Sequence, residues 1–255
     1  MGMADPFTSA KRRLARANEH IESIKKAVAV FFDTKPYAEV REPNARGFHE
    51  LKIRLIAPFP AVITDLTVET VEGLRASLDH VMAPIVERVG IGRGDKIHFP
   101  IADSAGGLKH ILEAGSLKGL PADIKARLMM YKPYKGGNEI IWALNRVRRQ
   151  AAHRLVVPIG SAALMQSAEI STSEPMPLTV YPPRWDSEKN EIILLETSPT
   201  GKPKYDFKFM FAVAFGDVEE VGGRDLLAVL MDMAKEVRKV LDDMERTCTA
   251  IGLFP

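Results

Sequence analysis

One cysteine, Cys248, stands in the whole 255-residue chain. No intramolecular disulfide can form, which excludes a disulfide framework and a cysteine-rich zinc site and fits a reducing cytosol best. The opening stretch, MGMADPFTSAKRR, lacks the apolar segment of a secretory signal. No apolar run approaches the roughly 20 residues that cross a bilayer, so no membrane partner is expected. A formal net charge of +2 is too small to demand a nucleic-acid partner. Gly-rich stretches are scarce. GRG at 92–94 and GGR at 222–224 make neither a P-loop nor a dinucleotide fingerprint. His-x-x-x-His and Glu-x-x-His spacings are absent as well. No cofactor is expected.

What is present is an ordinary soluble composition, 46% hydrophobic and 27% charged, in a chain long enough to bury a core without staples. Leu14, Ala17, Ile21, Ile24, Val28 and Phe31 recur at steps of three and four. They predict a helix from about Pro6 to Phe32, which Pro36 brings to a close. YAEVRE and FHELKIRLIA flank the turn-prone PNARG and predict a hairpin near 37–57. A second helix is predicted from near Thr67 to Gly90. Short helices follow at LKHILEAG and ADIKARLMMY, a loop at YKPYKGG, and a longer helix from Asn138 to Arg154.

Beyond Arg154 the character changes. LVVPIG, AEISTSE, PLTVYPP, NEIILLETS and YDFKFMFAVAF are β-rich and separated by turn residues, which predicts an antiparallel sheet with short connections. A last helix is expected over 224–247. The fold class is therefore α+β, read as one composite domain over 1–255. Residues 6–154 are mainly helical, 155–216 β-rich, and the C-terminal helix returns to the helical layer.

Two clusters carry chemistry. In LRASLDHVMAP, Arg75 and Asp79 lie four apart on one helix face, with His80 beside it. Pro84 has no N–H for the His80 carbonyl, so a kink is expected there. In RVRRQAAHR, Arg148, Arg149, His153 and Arg154 gather at a helix end, where capping of the dipole is the plainer explanation. A metal site draws on Asp79, His80 and His153, but neighbouring residues on a helix point about 100° apart. His98, ahead of Phe99 and Pro100, is read as structural.

The spacing Arg75-x4-His80, repeated at Arg148-x4-His153, resembles the motif of HEPN domains, all-helical bundles common in bacterial toxin, antiphage and RNA-processing systems. LRASLDH (74–80), FPI (99–101), KPY (132–134) and AHR (152–154) also resemble a group of bacterial proteins of similar length. Those carry LRSALDH-like, FPI-like, PY-like and KHR-like segments in that order. Ala76 departs from the polar residue that HEPN nucleases usually place after the arginine. The group's acidic residue before its Lys-His-Arg is Ala151 here.

Two functions from different classes are in view. In a non-enzymatic binding module, the Arg/Asp/His cluster holds helices in register or forms an anion pocket with Lys132, Tyr134, Arg148 and Arg149, for RNA or another anionic ligand. The alternative, implied by the HEPN resemblance, is a metal-independent ribonuclease. There His80 moves the proton, Arg75 stabilises phosphoryl charge, Asp79 orients either one, and His153 and Arg154 join the pocket. A homodimer follows from the same resemblance.

Overall fold

The computed structural model describes residues 5–93, 97–153, 159–172, 175–182, 185–186, 189–215 and 219–254. Among these are six helices and seven strands, an α+β architecture with every strand pair antiparallel. No helix among the described residues is long and apolar enough to cross a membrane.

The helices are α1 (Thr8–Asp33), α2 (Ala61–Val89), α3 (Ala105–Glu113), α4 (Ala122–Tyr131), α5 (Glu139–His153) and α6 (Leu226–Ala250). The apolar stripe of α1 is buried as expected at Leu14, Ala17, Ile21, Ile24 and Phe31. α1 and α2 run antiparallel. Ser77 donates to the Ala10 carbonyl at 2.9 Å, and Gly73 lies against Ala17 and the Arg13 backbone. Small residues at these crossings let the two backbones approach closely. Asn138 caps α5 by accepting the Ile141 N–H at 3.1 Å, and Asp225 caps α6 at the Ala228 N–H, 2.7 Å.

α2 departs from expectation at its start. It begins at Ala61, directly after Pro60, rather than near Thr67. Proline is well suited to a helix entrance, where a missing N–H costs nothing, so PFPAV is a start signal rather than a loop. α2 also stays helical through Pro84 and ends at Gly90 in a left-handed cap, φ 75°.

The strands are β1 (Tyr37–Pro43), β2 (His49–Leu55), β3 (Ile159–Ser171), β4 (Leu178–Val180), β5 (Trp185–Asp186), β6 (Glu191–Thr197) and β7 (Lys204–Phe215). The β1–β2 hairpin forms where expected. It does not stand apart from the C-terminal strands, however. β2 pairs with β6, giving a sheet in the order β1-β2-β6-β4, with β5 also on β6. The end of LVVPIG (Ile159 and Gly160) and the start of AEISTSE (Ala168 to Ser171) belong to one strand, β3, which forms a separate ribbon with β7; 155–158 and 173–174 lie outside the described residues. Tyr37 of β1 stacks on Phe211 of β7 with ring centres 3.9 Å apart, which joins sheet and ribbon.

The main core takes in buried residues from Phe7 on the approach to α1 through Cys248 on α6, including Val213 and Phe215 at the end of β7. A smaller core of Leu51, Ile192, Leu194 and Leu195 lies in the sheet. Lys52 alternates along β2 with the apolar Leu51 and Ile53, yet it is only 8% exposed. Its ammonium lies 3.0 Å from both Glu50 and Glu191, and Arg54 also bonds Glu191, at 2.6 Å.

Candidate functional site

The site is built on the side of α2 that turns away from α1. Arg75 and Asp79, four residues apart, meet there as an ion pair. Arg75 is 9% exposed, and its second guanidinium nitrogen donates to the Phe99 carbonyl at 3.1 Å. The Phe99 N–H returns a 2.8 Å bond to Asp79 Oδ1. Both backbone polar groups of Phe99 are thereby satisfied by α2, while its ring is buried in the main core. One step further along, the Ala102 N–H donates to the Pro133 carbonyl at 3.0 Å, and Ala102 bridges Tyr134.

LRASLDH and FPI are thus joined by hydrogen bonds, and KPY is joined to Ala102, the residue directly after FPI. The fourth, AHR, carries no side-chain description. His153 ends α5 with its side chain outside the described residues, and Arg154 lies outside them altogether. Lys132 caps α4 in a left-handed conformation, φ 51°, and is exposed. Tyr134 is half-buried and packs against the main core.

His80 does not join Arg75. Five residues on a helix amount to about 140° of rotation, so Arg-x4-His splays its two side chains apart. His80 turns toward α1, where its Nδ1 shares a 2.7 Å hydrogen bond with Ser9 Oγ. Arg75 turns toward the 97–102 segment. Asp79 therefore orients Arg75 and not His80.

The imidazole that Asp79 does meet is His98, whose Nδ1 lies 3.3 Å from Asp79 Oδ2. His98 keeps 70% of its side chain exposed. The signal was in the alternation: Ile97 and Phe99 are buried, so an extended backbone turns His98 outward.

Electrostatics sharpen the picture. Burial pushes the Arg75 guanidinium below its ordinary value, Asp79 opposes that, and the charges of Arg148 and Arg149 push it down further. The Arg148 Nε–H is shared between the two carboxylate oxygens of Glu72, each at 3.2 Å. Arg149 is exposed and has no carboxylate partner among the described residues. Chemically, the arrangement offers a rigid buried ion pair, an exposed imidazole held by a carboxylate, and two solvent-facing guanidinium groups. No group of three His, Cys, Asp or Glu side chains able to hold a metal occurs among the described residues. Both Asp79 oxygens are already engaged. Comparison with known protein families, with curated proteins and with solved structures finds no match to the chain.

Proposed function

We propose that the protein is a non-enzymatic binding module for RNA or another anionic ligand, organised around the Arg75–Asp79 pair. The observation that carries this reading is that Arg148 and Arg149 are both exposed on α5, Arg149 without a carboxylate partner among the described residues. Their charges also push the guanidinium of buried Arg75 down, while Asp79 and Phe99 hold it in place. An anion held by Arg148 and Arg149 relieves that repulsion, and guanidinium groups suit planar two-point contact with phosphate. Arg75 then serves as a fixed support. Lys132 and Tyr134, tied to the same unit through Ala102, border the ligand.

Binding of labelled single-stranded RNA and of inorganic pyrophosphate tests this directly. Affinity should fall with salt, and fall about tenfold or more in the Arg148→Ala/Arg149→Ala double variant. If neither probe binds, or the double variant binds as well as the parent, the reading fails.

The Asp79–His98 pair favours a second reading, metal-independent cleavage of RNA, with His98 in place of His80 taking the 2′-hydroxyl proton as that oxygen bonds to phosphorus, while the P–O5′ bond breaks and the 5′-oxygen takes a proton from solvent. A HEPN-like relationship and a homodimer belong to this second reading. Its support is the packing of α1, α2, α5 and α6 on one another. RNA cleavage in EDTA that disappears in His98→Ala would establish it. Intact RNA after prolonged incubation with the parent protein would remove it, and light scattering reads the dimer independently.

A further inference from the structure

We propose that the exposed face of α1 is a binding site for a small oligophosphate, separate from the Arg75 cluster. A groove of about 820 Å³ runs along the first half of this helix, lined by Thr8, Ser9, Arg12, Arg13, Arg16 and Glu19 among others. Its size falls within the range of roughly 300–1,000 Å³ that small-molecule sites occupy.

The charge in the groove is unbalanced. Among the described residues, Arg12 and Arg13 have no carboxylate partner. Arg16 meets Glu19 at 3.3 Å, but both side chains are largely exposed, so the pair neutralises little. Lys11, the remaining cation of this stretch, contrasts with them: it is tied at 2.9 Å to Asp5 and at 2.7 Å to Glu245, outside the groove. The helix thus neutralises the lysine and leaves two arginines facing open space.

Arg12 and Arg16 are one helical turn apart, a like-charge spacing that disfavours the helix unless something negative sits between. Their backbone positions differ by about 6 Å along the axis, a span that calls for a ligand with more than one anionic group. The first turn of α1 contains no acidic residue; the carboxylate at this helix end is Asp5, which accepts the Phe7 N–H at 2.9 Å. Ser9, held in place by His80, fixes the wall of the groove next to α2. Guanidinium forks, two of them unpaired, suit two-point contact with phosphoryl oxygens.

The site does not rest on the reading of Arg75, Arg148 and Arg149. α1 covers the Gly73, Ser77 and His80 side of α2, whereas Arg75 and Asp79 face the 97–102 segment.

Calorimetric titration of the full chain with inorganic tripolyphosphate provides the test, with sulfate at matched ionic strength as the control. Binding should weaken about tenfold or more in Arg12→Ala/Arg13→Ala. With Arg148→Ala/Arg149→Ala in place to silence the site proposed above, tripolyphosphate should still bind, and adding Arg12→Ala/Arg13→Ala should remove that remaining binding. Both arginines of the first pair are exposed, so the double variant should keep the parent's circular dichroism. The proposal is overturned by absence of binding at millimolar tripolyphosphate, by equal binding of sulfate, or by loss in the second double variant alone. Binding of a short oligonucleotide without binding of tripolyphosphate overturns it too, since the groove would then follow a strand rather than hold a small ligand.

Discussion

Asp79 and Phe99, 20 residues apart in the chain, are joined by a 2.8 Å hydrogen bond from the Phe99 N–H to the carboxylate. With Arg75 taking the Phe99 carbonyl, a segment without regular structure of its own is held to α2 as firmly as a paired strand. Asp79→Ala should therefore destabilise the protein by about 3–5 kcal/mol, because it leaves a buried guanidinium uncompensated. Replacing both partners, as in Arg75→Met/Asp79→Ala, should cost less than the sum of the two single changes. Urea denaturation measures both. A loss under about 1 kcal/mol for Asp79→Ala would mean the pair is an ordinary surface contact.

Gly73 gives a prediction of opposite sign. A Cβ there would lie 3.6 Å from the Ala17 Cβ, an ordinary contact distance. Gly73→Ala should gain about 0.5–1 kcal/mol from helix propensity, whereas Gly73→Leu should lose stability by forcing α1 and α2 apart. Thermal melts of both variants decide it, and a loss in the alanine variant would show that the helices tolerate no methyl at this crossing.

Acid should act through the sheet. Glu191 is 2% exposed. Burial works to raise its pKa, but hydrogen bonds from Arg54 and Lys52 outweigh it and hold the carboxyl below its ordinary value. A depressed folded pKa gives stability that is present above the unfolded value and lost as pH falls through the folded one. Stability should therefore decline below about pH 4.5. Glu191→Gln should be less stable at neutral pH and show a shallower acid slope. Parallel pH profiles for the two proteins would refute the assignment to Glu191.

Cys248 is fully buried, and that burial pushes its thiol pKa up to about 12. A disulfide reagent such as dithionitrobenzoate should leave it untouched in the native protein and label it fully in denaturant. Rapid native labelling would place α6 differently from the packing described.

The parts legible in the sequence were those with a strong period. The stripes of α1 and α6 and the hairpin turn at PNARG are local signals, and each element formed within a few residues of its expected bounds. The shared face of Arg75 and Asp79 was legible for the same reason. Their common target was not, because nothing in the sequence near 75–79 points to a backbone group at Phe99. Arg75 and His80 look like partners in one dimension, but 140° of helical rotation separates them. The burial of Lys52 was not legible, because alternation reports which face a residue is on, not what covers that face. β3 was divided in two because SAALMQS, its middle, lacks the β-branched residues that mark strands, and its pairing with β7 supplies what propensity does not.

The pairing of β2 with β6 has a consequence for the order of events during synthesis. The hairpin emerges early, yet the partner of Lys52 at Glu191 lies 139 residues downstream. Until that stretch is made, one edge of β2 is an open template for other strands. The alternation of Glu50, Lys52 and Arg54 along that edge places charge wherever a foreign strand would dock. The same residues that later close the ion network guard the nascent hairpin while it waits.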